Sequence, residues 1–175
     1  MLKREFNIEF GKLSAHSLDY IRGILRDTRT TTILSLKELS VEELDWQYKE
    51  GWNTIGALLS HIVGIENCFR IEFVEGRKFT DEENEKWLPG IEMGIYIPEL
   101  INQQPVENYI AQLTESRELM LTAISNLTHE DFTRRIDDYD AETGCNLAWA
   151  LYHMAEDEIY HRGQISIIRK LYKDR

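Results

Sequence analysis

The sequence predicts an all-α fold, a four-helix bundle with long connections between the helices. Three observations predict it. Four stretches of the chain repeat apolar residues at three- and four-residue steps, the period of a helix with one buried side. Only three prolines and ten glycines interrupt 175 residues, so long helices meet few breakers. The hydrophobic fraction of 42% and charged fraction of 29% are those of an ordinary folded domain. One domain spanning residues 1–175 is the natural count for this length.

The first helix is expected over Ser14 to Leu36, with Leu18, Ile21, Leu25, Thr28 and Thr32 on its inner side. Ser40-Val41-Glu42-Glu43 has the pattern of a capping box that opens a short turn. Asn53 or Thr54 can cap a second helix running to about Glu75, where Gly76 stops it. Its buried stripe is Ile55, Leu58, Ile62, Ile65, Phe69 and Phe73. Residues 77 to 104 form an acidic connection with Pro89, Gly90, Gly94 and Pro98. Its length predicts local structure and a place over one mouth of the bundle. Pro105 suits the first position of a third helix, marked by Val106, Tyr109, Ile110, Leu113, Met120, Ile124 and Leu127. After a polar connection over 128 to 145, Asn146 can cap a fourth helix from Leu147 to about Tyr172.

Composition excludes several functions. The 20 Lys and Arg against 31 Asp and Glu leave a net charge of −11, which argues against nucleic acid as a partner. No apolar run approaches the roughly 20 residues of a membrane helix, so no membrane partner is expected. The opening Met1-Leu2-Lys3-Arg4-Glu5-Phe6 lacks the apolar stretch of a secretory signal. Cys68 and Cys145 make no disulfide framework. A reduced, cytoplasmic protein is the reading these features share. Phosphate loops, paired-cysteine motifs and nucleophile elbows are absent from the sequence.

The fourth helix carries the chemistry. Leu147, Leu151, Met154, Glu158, His161, Ile165, Ile168 and Tyr172 follow one another at steps of four and three, as one seam of a bundle helix does. The seam is apolar at both ends and polar in the middle, with Asp157 and Gln164 on its flank. Buried charge without a partner costs several kcal/mol, roughly, so something must compensate. Asp157 and His161 are one turn apart, about 6 Å along the axis and roughly 40° around it, close enough to share one ion. His153 lies two turns from His161, about 12 Å away, too far for that. A third ligand would come from a facing helix, where His61 is the histidine of the second helix. His61 also suits a hydrogen-bonded place in the core, and Asp157 could pair with Arg117 and fix helix register. Both alternatives stand at this point. Glu158 reads as an outer partner of a ligand or an ion-pair group rather than a ligand, and Cys68 as a small buried hydrophobe. Trp52, Trp87 and Trp149 read as packing residues. His16 and His129 receive no role.

The segment His153-Met-Ala-Glu-Asp157-Glu-Ile-Tyr-His161-Arg-Gly-Gln-Ile165 resembles the fourth-helix signature of the DinB/YfiT-like family. Trp52-Asn-Thr-Ile-Gly-Ala-Leu-Leu-Ser-His61-Ile-Val looks like that family's second helix with its single metal-binding histidine. The resemblance implies a metal-binding four-helix bundle whose site usually has three histidines. Carried over by position, the ligands are His61, Asp157 and His161, with Asp157 standing where the family has histidine. A carboxylate is a competent ligand. The resemblance implies a divalent metal, Zn, Ni, Mn or Fe, and a small-molecule thiol or an electrophile as partner. It further implies a homodimer and either a thiol S-transferase activity or a metal-dependent hydrolase activity. A non-catalytic, stress-related binding module with a degenerate metal site is the rival reading. Within the same string, Gly163 is expected where a neighbour approaches closely, Arg162 in a surface ion pair, and Gln164 on a ligand or loop carbonyl.

Overall fold

The computed structural model describes residues 17–136 and 144–175. In chain order its helices are α1 (Ser17–Ser35), α2 (Val41–Asp45), α3 (Ile55–Cys68), α4 (Asp81–Glu92), α5 (Ile97–Leu100), α6 (Val106–Ala123), α7 (His129–Thr133) and α8 (Leu147–Lys173). A π-helical stretch, Phe69–Val74, prolongs α3. A two-residue antiparallel ladder pairs β1 (Arg135–Ile136) with β2 (Cys145–Asn146) and leads into α8. The fold is all-α. The long helices close a ring: α1 packs on α8 and α6, and α3 packs on α6 and α8. No helix among the described residues is long and apolar enough to cross a membrane.

The helix starts follow from their caps. Ser40 closes the expected capping box with Glu43. Thr54, rather than Asn53, accepts from the Ala57 N–H and opens α3. Asn146 accepts from the Trp149 N–H and opens α8. Pro105 is the residue before α6 rather than its first residue. Its extended backbone and missing N–H suit either place. The expected start of α1 at Ser14 lies outside the described residues.

The connection over 77 to 104 holds its own helix. Thr80 and Glu83 form a second capping box and start α4, which runs through Pro89 to Glu92. α4 lies along α3. Two glycines allow that contact. A Cβ on Gly90 would stand 2.7 Å from the Ser60 carbonyl oxygen, and one on Gly64 would stand 3.0 Å from the Ile91 side chain. The core has two parts. Leu25, Phe69, Met120, Leu151 and Met154 belong to one, and Leu36, Leu58, Ile62, Leu113 and Ile165 to the other. Polar side chains fill the level between them.

Candidate metal centre

Each of the four long helices contributes one charged residue to that level. Arg29 of α1, Glu66 of α3, Arg117 of α6 and Glu158 of α8 are all buried. Arg29 donates from Nε to Glu158 at 2.9 Å and from Nη2 to Glu66 at 2.8 Å. Arg117 donates from Nη2 to Glu158 at 2.7 Å and from Nε to Glu66. Their Nη1 groups donate to the Leu113 and Leu25 carbonyls, and the Ser116 hydroxyl donates to Glu66 at 2.6 Å. Two positive and two negative charges cancel. Burial pulls the Arg29 pKa down, yet Glu66 and Glu158 outweigh it and hold it above its ordinary value. Burial likewise pushes Glu158 up, yet Arg29 and Arg117 hold it below the usual carboxylate range. Glu158 is therefore an ion-pair residue, as its place in the seam implied. Arg117 is occupied here, so the register pairing considered for Asp157 does not form.

Asp157 turns the other way, toward α3. His161 Nε2 lies 3.3 Å from Asp157 Oδ1, and His61 Nε2 lies 3.7 Å from Asp157 Oδ2. The two imidazole rings stand 4.8 Å apart, edge to face at 75°. One donor atom from each of His61, Asp157 and His161 falls within a 4.8 Å span. Metal bonds of about 2.1 Å in tetrahedral array set donors about 3.4 Å apart, so the spacing fits a single ion.

The other ring nitrogens fix the direction of these donors. His61 Nδ1 faces the carbonyl oxygens of Gly90 and Ile91 on α4, at 3.0 and 3.1 Å. Carbonyl oxygens only accept, so Nδ1 carries the proton and Nε2 presents its lone pair. His161 Nδ1 faces Gln164 Oε1 at 3.0 Å, so it too carries a proton on Nδ1 and turns Nε2 toward Asp157. Backbone carbonyls and amides behind the ring are the usual outer partners of metal-bound histidines. Burial and the neighbouring His161 lower the His61 pKa against the pull of Asp157. Burial also pulls His161 down, but its hydrogen bond and charge contact with Asp157 raise it overall. Asp157 is held below its ordinary range, chiefly by His161, in spite of burial that pushes it up. The Nε2 atoms of both imidazoles and the Asp157 carboxylate converge with no lysine or arginine among them, so once His161 gives up its Nε2 proton the donor set fits a divalent ion.

The remaining sequence expectations sort as follows. His153 is outside this group: its ring stacks on Trp149 at 4.6 Å and its Nδ1 faces Glu156 at 2.9 Å. Arg162 makes no ion pair among the described residues; it donates to the Thr28 carbonyl at 3.1 Å and the Thr31 hydroxyl at 2.6 Å, tying α8 to α1. Gly163 has no neighbour near it, because a Cβ there would meet nothing within 4 Å. It lies on the outer side of α8, where no other described element packs. Cys68 is half-buried beside Glu72, and burial together with that carboxylate pushes its thiol up to about 11. Trp149 is packed as expected, whereas Trp52 is 47% exposed and walls a cavity. His129 begins α7 at the surface, and His16 lies outside the described residues.

A family model described as the DinB superfamily matches residues 24–165. The chain belongs to the DinB superfamily. The match takes in α3, α4 and α8 as far as Ile165, and with them all three donors. A crystal structure of a protein from Streptococcus pneumoniae has the same fold, with a TM-score of 0.67 and 15% sequence identity. The alignment covers 91% of this chain and 93% of that one. No curated protein matches the chain. Superfamily membership agrees with a metal-binding bundle and leaves the choice of metal open.

Sequence reasoning missed Arg29, Glu66, Gly90 and Ile91. The first two had a signal. Arg29 falls four residues after Leu25 and three before Thr32, and Glu66 four after Ile62 and three before Phe69. Each is a charge inside an apolar stripe. The carbonyls of Gly90 and Ile91 had none, since backbone acceptors leave no mark in side-chain pattern.

Proposed function

We propose that this DinB-superfamily chain is a metal-dependent enzyme that adds a low-molecular-weight thiol, such as bacillithiol, to an electrophile. His61, Asp157 and His161 are the ligands in this reading. The observation that carries it is the paired orientation of His61 and His161, whose Nδ1 protons are fixed on acceptors while both Nε2 atoms face Asp157. When bound, a divalent ion lowers the pKa of a thiol or water at its open positions.

The chain's own residues supply orientation. α4 holds the His61 ring through two carbonyls, and Gln164 holds the His161 ring. The neighbouring Glu158 pins α8 to α1 and α6 through Arg29 and Arg117, which fixes the backbone that carries Asp157. The chain supplies no reactive thiol of its own, because burial pushes both Cys68 and Cys145 up to about 11. In this reading the nucleophile enters from solution, and Asp157, 22% exposed, marks the open side. A homodimer is part of the proposal; exposed Tyr20 and Ile24 on α1 and Ile159 on α8 offer apolar surface to a second copy.

The test has two steps. Metal analysis of protein purified without chelator or affinity metal is expected to give about one divalent ion per chain. Incubation with a thiol and a model electrophile should then give metal-dependent adduct. Bound metal with no adduct across several thiols and metals would favour the non-catalytic module, and hydrolysis without adduct would favour the hydrolase.

A further inference from the structure

A cavity of about 460 Å³ is lined by Gly51, Trp52, Asn53, Gln164, Ile167 and Ile168. Its size and its apolar walls with few polar groups are those of small-molecule sites. Gln164 belongs both to this cavity and to the metal centre, where it holds His161. Asp157, His161, Gln164 and Ile168 follow at steps of four, three and four, so they stand on one side of α8. The cavity is thus the continuation of the face that presents the metal ligands. Along the axis, Gln164 is about 4.5 Å and Ile168 about 10.5 Å beyond His161.

The walls are built rather than incidental. Trp52 and Ile167 are 47% and 57% exposed, large apolar surfaces left uncovered. The Tyr48 ring leans on the Trp52 ring at 4.9 Å. The Trp52 N–H donates to the Lys49 carbonyl at 3.0 Å, and its carbonyl accepts from the Gln47 side chain at 2.6 Å. Gly51 makes the turn possible with a φ of 80°. Gln164 spends its oxygen on His161, and its amide nitrogen has no partner among the described residues, so it can donate to a ligand.

We infer that the substrate of this site carries a flat apolar group, seated against Trp52, Ile167 and Ile168, joined through a hydrogen-bond acceptor at Gln164 to the part that meets the metal. This rests on the proposed metal site and names the substrate class that site takes.

Two hydroxamates probe the inference without assuming a thiol: acetohydroxamate, which has a metal-binding head alone, and 3-phenylpropanohydroxamate, which adds an aromatic tail of suitable reach. Binding to zinc-loaded protein is measured by calorimetry and by tryptophan fluorescence. The tailed probe is expected to bind at least about tenfold tighter, as burial of an aromatic ring provides. That ratio should fall to about one in Ile167→Asp and in Trp52→Ala, and the tailed probe alone should shift the fluorescence of the wild-type protein. Both substitutions lie at exposed positions, and circular dichroism verifies their fold. Equal binding of the two probes to the wild-type protein would overturn the apolar subsite and leave the metal reading intact. A ratio retained in both variants would overturn its placement. Failure to bind zinc would overturn the metal reading and this inference with it; failure of zinc-loaded protein to bind either hydroxamate would overturn this inference alone.

Discussion

Asp157 and Glu158 are neighbours in the chain, yet they serve two polar clusters built on opposite principles. Glu158 enters a buried layer in which two arginines and two glutamates cancel, and each guanidinium nitrogen has an acceptor. Asp157 enters a cluster of one carboxylate and two imidazoles whose Nε2 atoms face it, at a partly open edge. The first cluster is complete without a ligand. The second has spare donor atoms, so it can take a divalent cation in place of the His161 proton. Burial of charge is thus no indicator of a binding site by itself; what distinguishes the two is the balance of donors and acceptors.

The largest expected effect separates them directly. Glu158→Ala strands Arg29 and Arg117 on the single carboxylate of Glu66 and should destabilise by about 3–5 kcal/mol. Asp157→Ala removes half of a partly exposed ion pair and should change the stability of metal-free protein by no more than about 1 kcal/mol. Urea unfolding of both variants in chelator measures this. An equal loss in the two would erase the distinction between the clusters. Pairing Glu158→Leu with Arg29→Leu leaves the Arg117–Glu66 pair balanced and should recover part of the loss.

Metal titration sharpens the contrast from the other side. Gln164→Ala frees the His161 ring and should weaken zinc by about 10–100-fold, the usual effect of losing an outer partner. His161→Ala removes one of the three proposed ligands and should exceed that range for every metal. Asp157→His restores three nitrogens, which suit zinc and nickel better than a carboxylate does, and should tighten both. Glu158→Ala should leave the metal stoichiometry of its folded fraction unchanged. Unaltered zinc affinity in His161→Ala would remove that residue from the ligand set.

The legibility of the two clusters differed for a physical reason. The seam of α8 was readable because side-chain period alone places Glu158 and His161 inward and Asp157 on the flank. Which cluster each residue joins depends on the other helices. Glu66 and Arg117 interrupt apolar stripes at the same four-three spacing and could have been recognised as partners. The support of His61 could not, because it depends on α4 seating against Ser60. Pro89 and Gly90 looked like breakers, whereas Pro89 sits within α4 and Gly90 is the contact point. The expected closeness at Gly163 failed because a glycine in a helix does not reveal whether anything stands opposite it.

Those two glycines supply the smallest and cleanest comparison. Gly90→Ala places a Cβ 2.7 Å from the Ser60 carbonyl oxygen, backbone that cannot rotate aside. α4 must then lift from α3, which should cost about 1–3 kcal/mol as overpacking does. The carbonyls that orient His61 move with it, so metal affinity should fall as well. Gly163→Ala meets nothing within 4 Å and removes a flexible residue from the interior of α8. It should stabilise by up to about 1 kcal/mol, with zinc affinity unchanged although the substitution lies two residues from His161. Thermal melting of both variants, with and without zinc, provides the check. A stabilising Gly90→Ala would show that α4 does not bear on α3 at this point. A destabilising Gly163→Ala would show that the outer face of α8 is covered in solution.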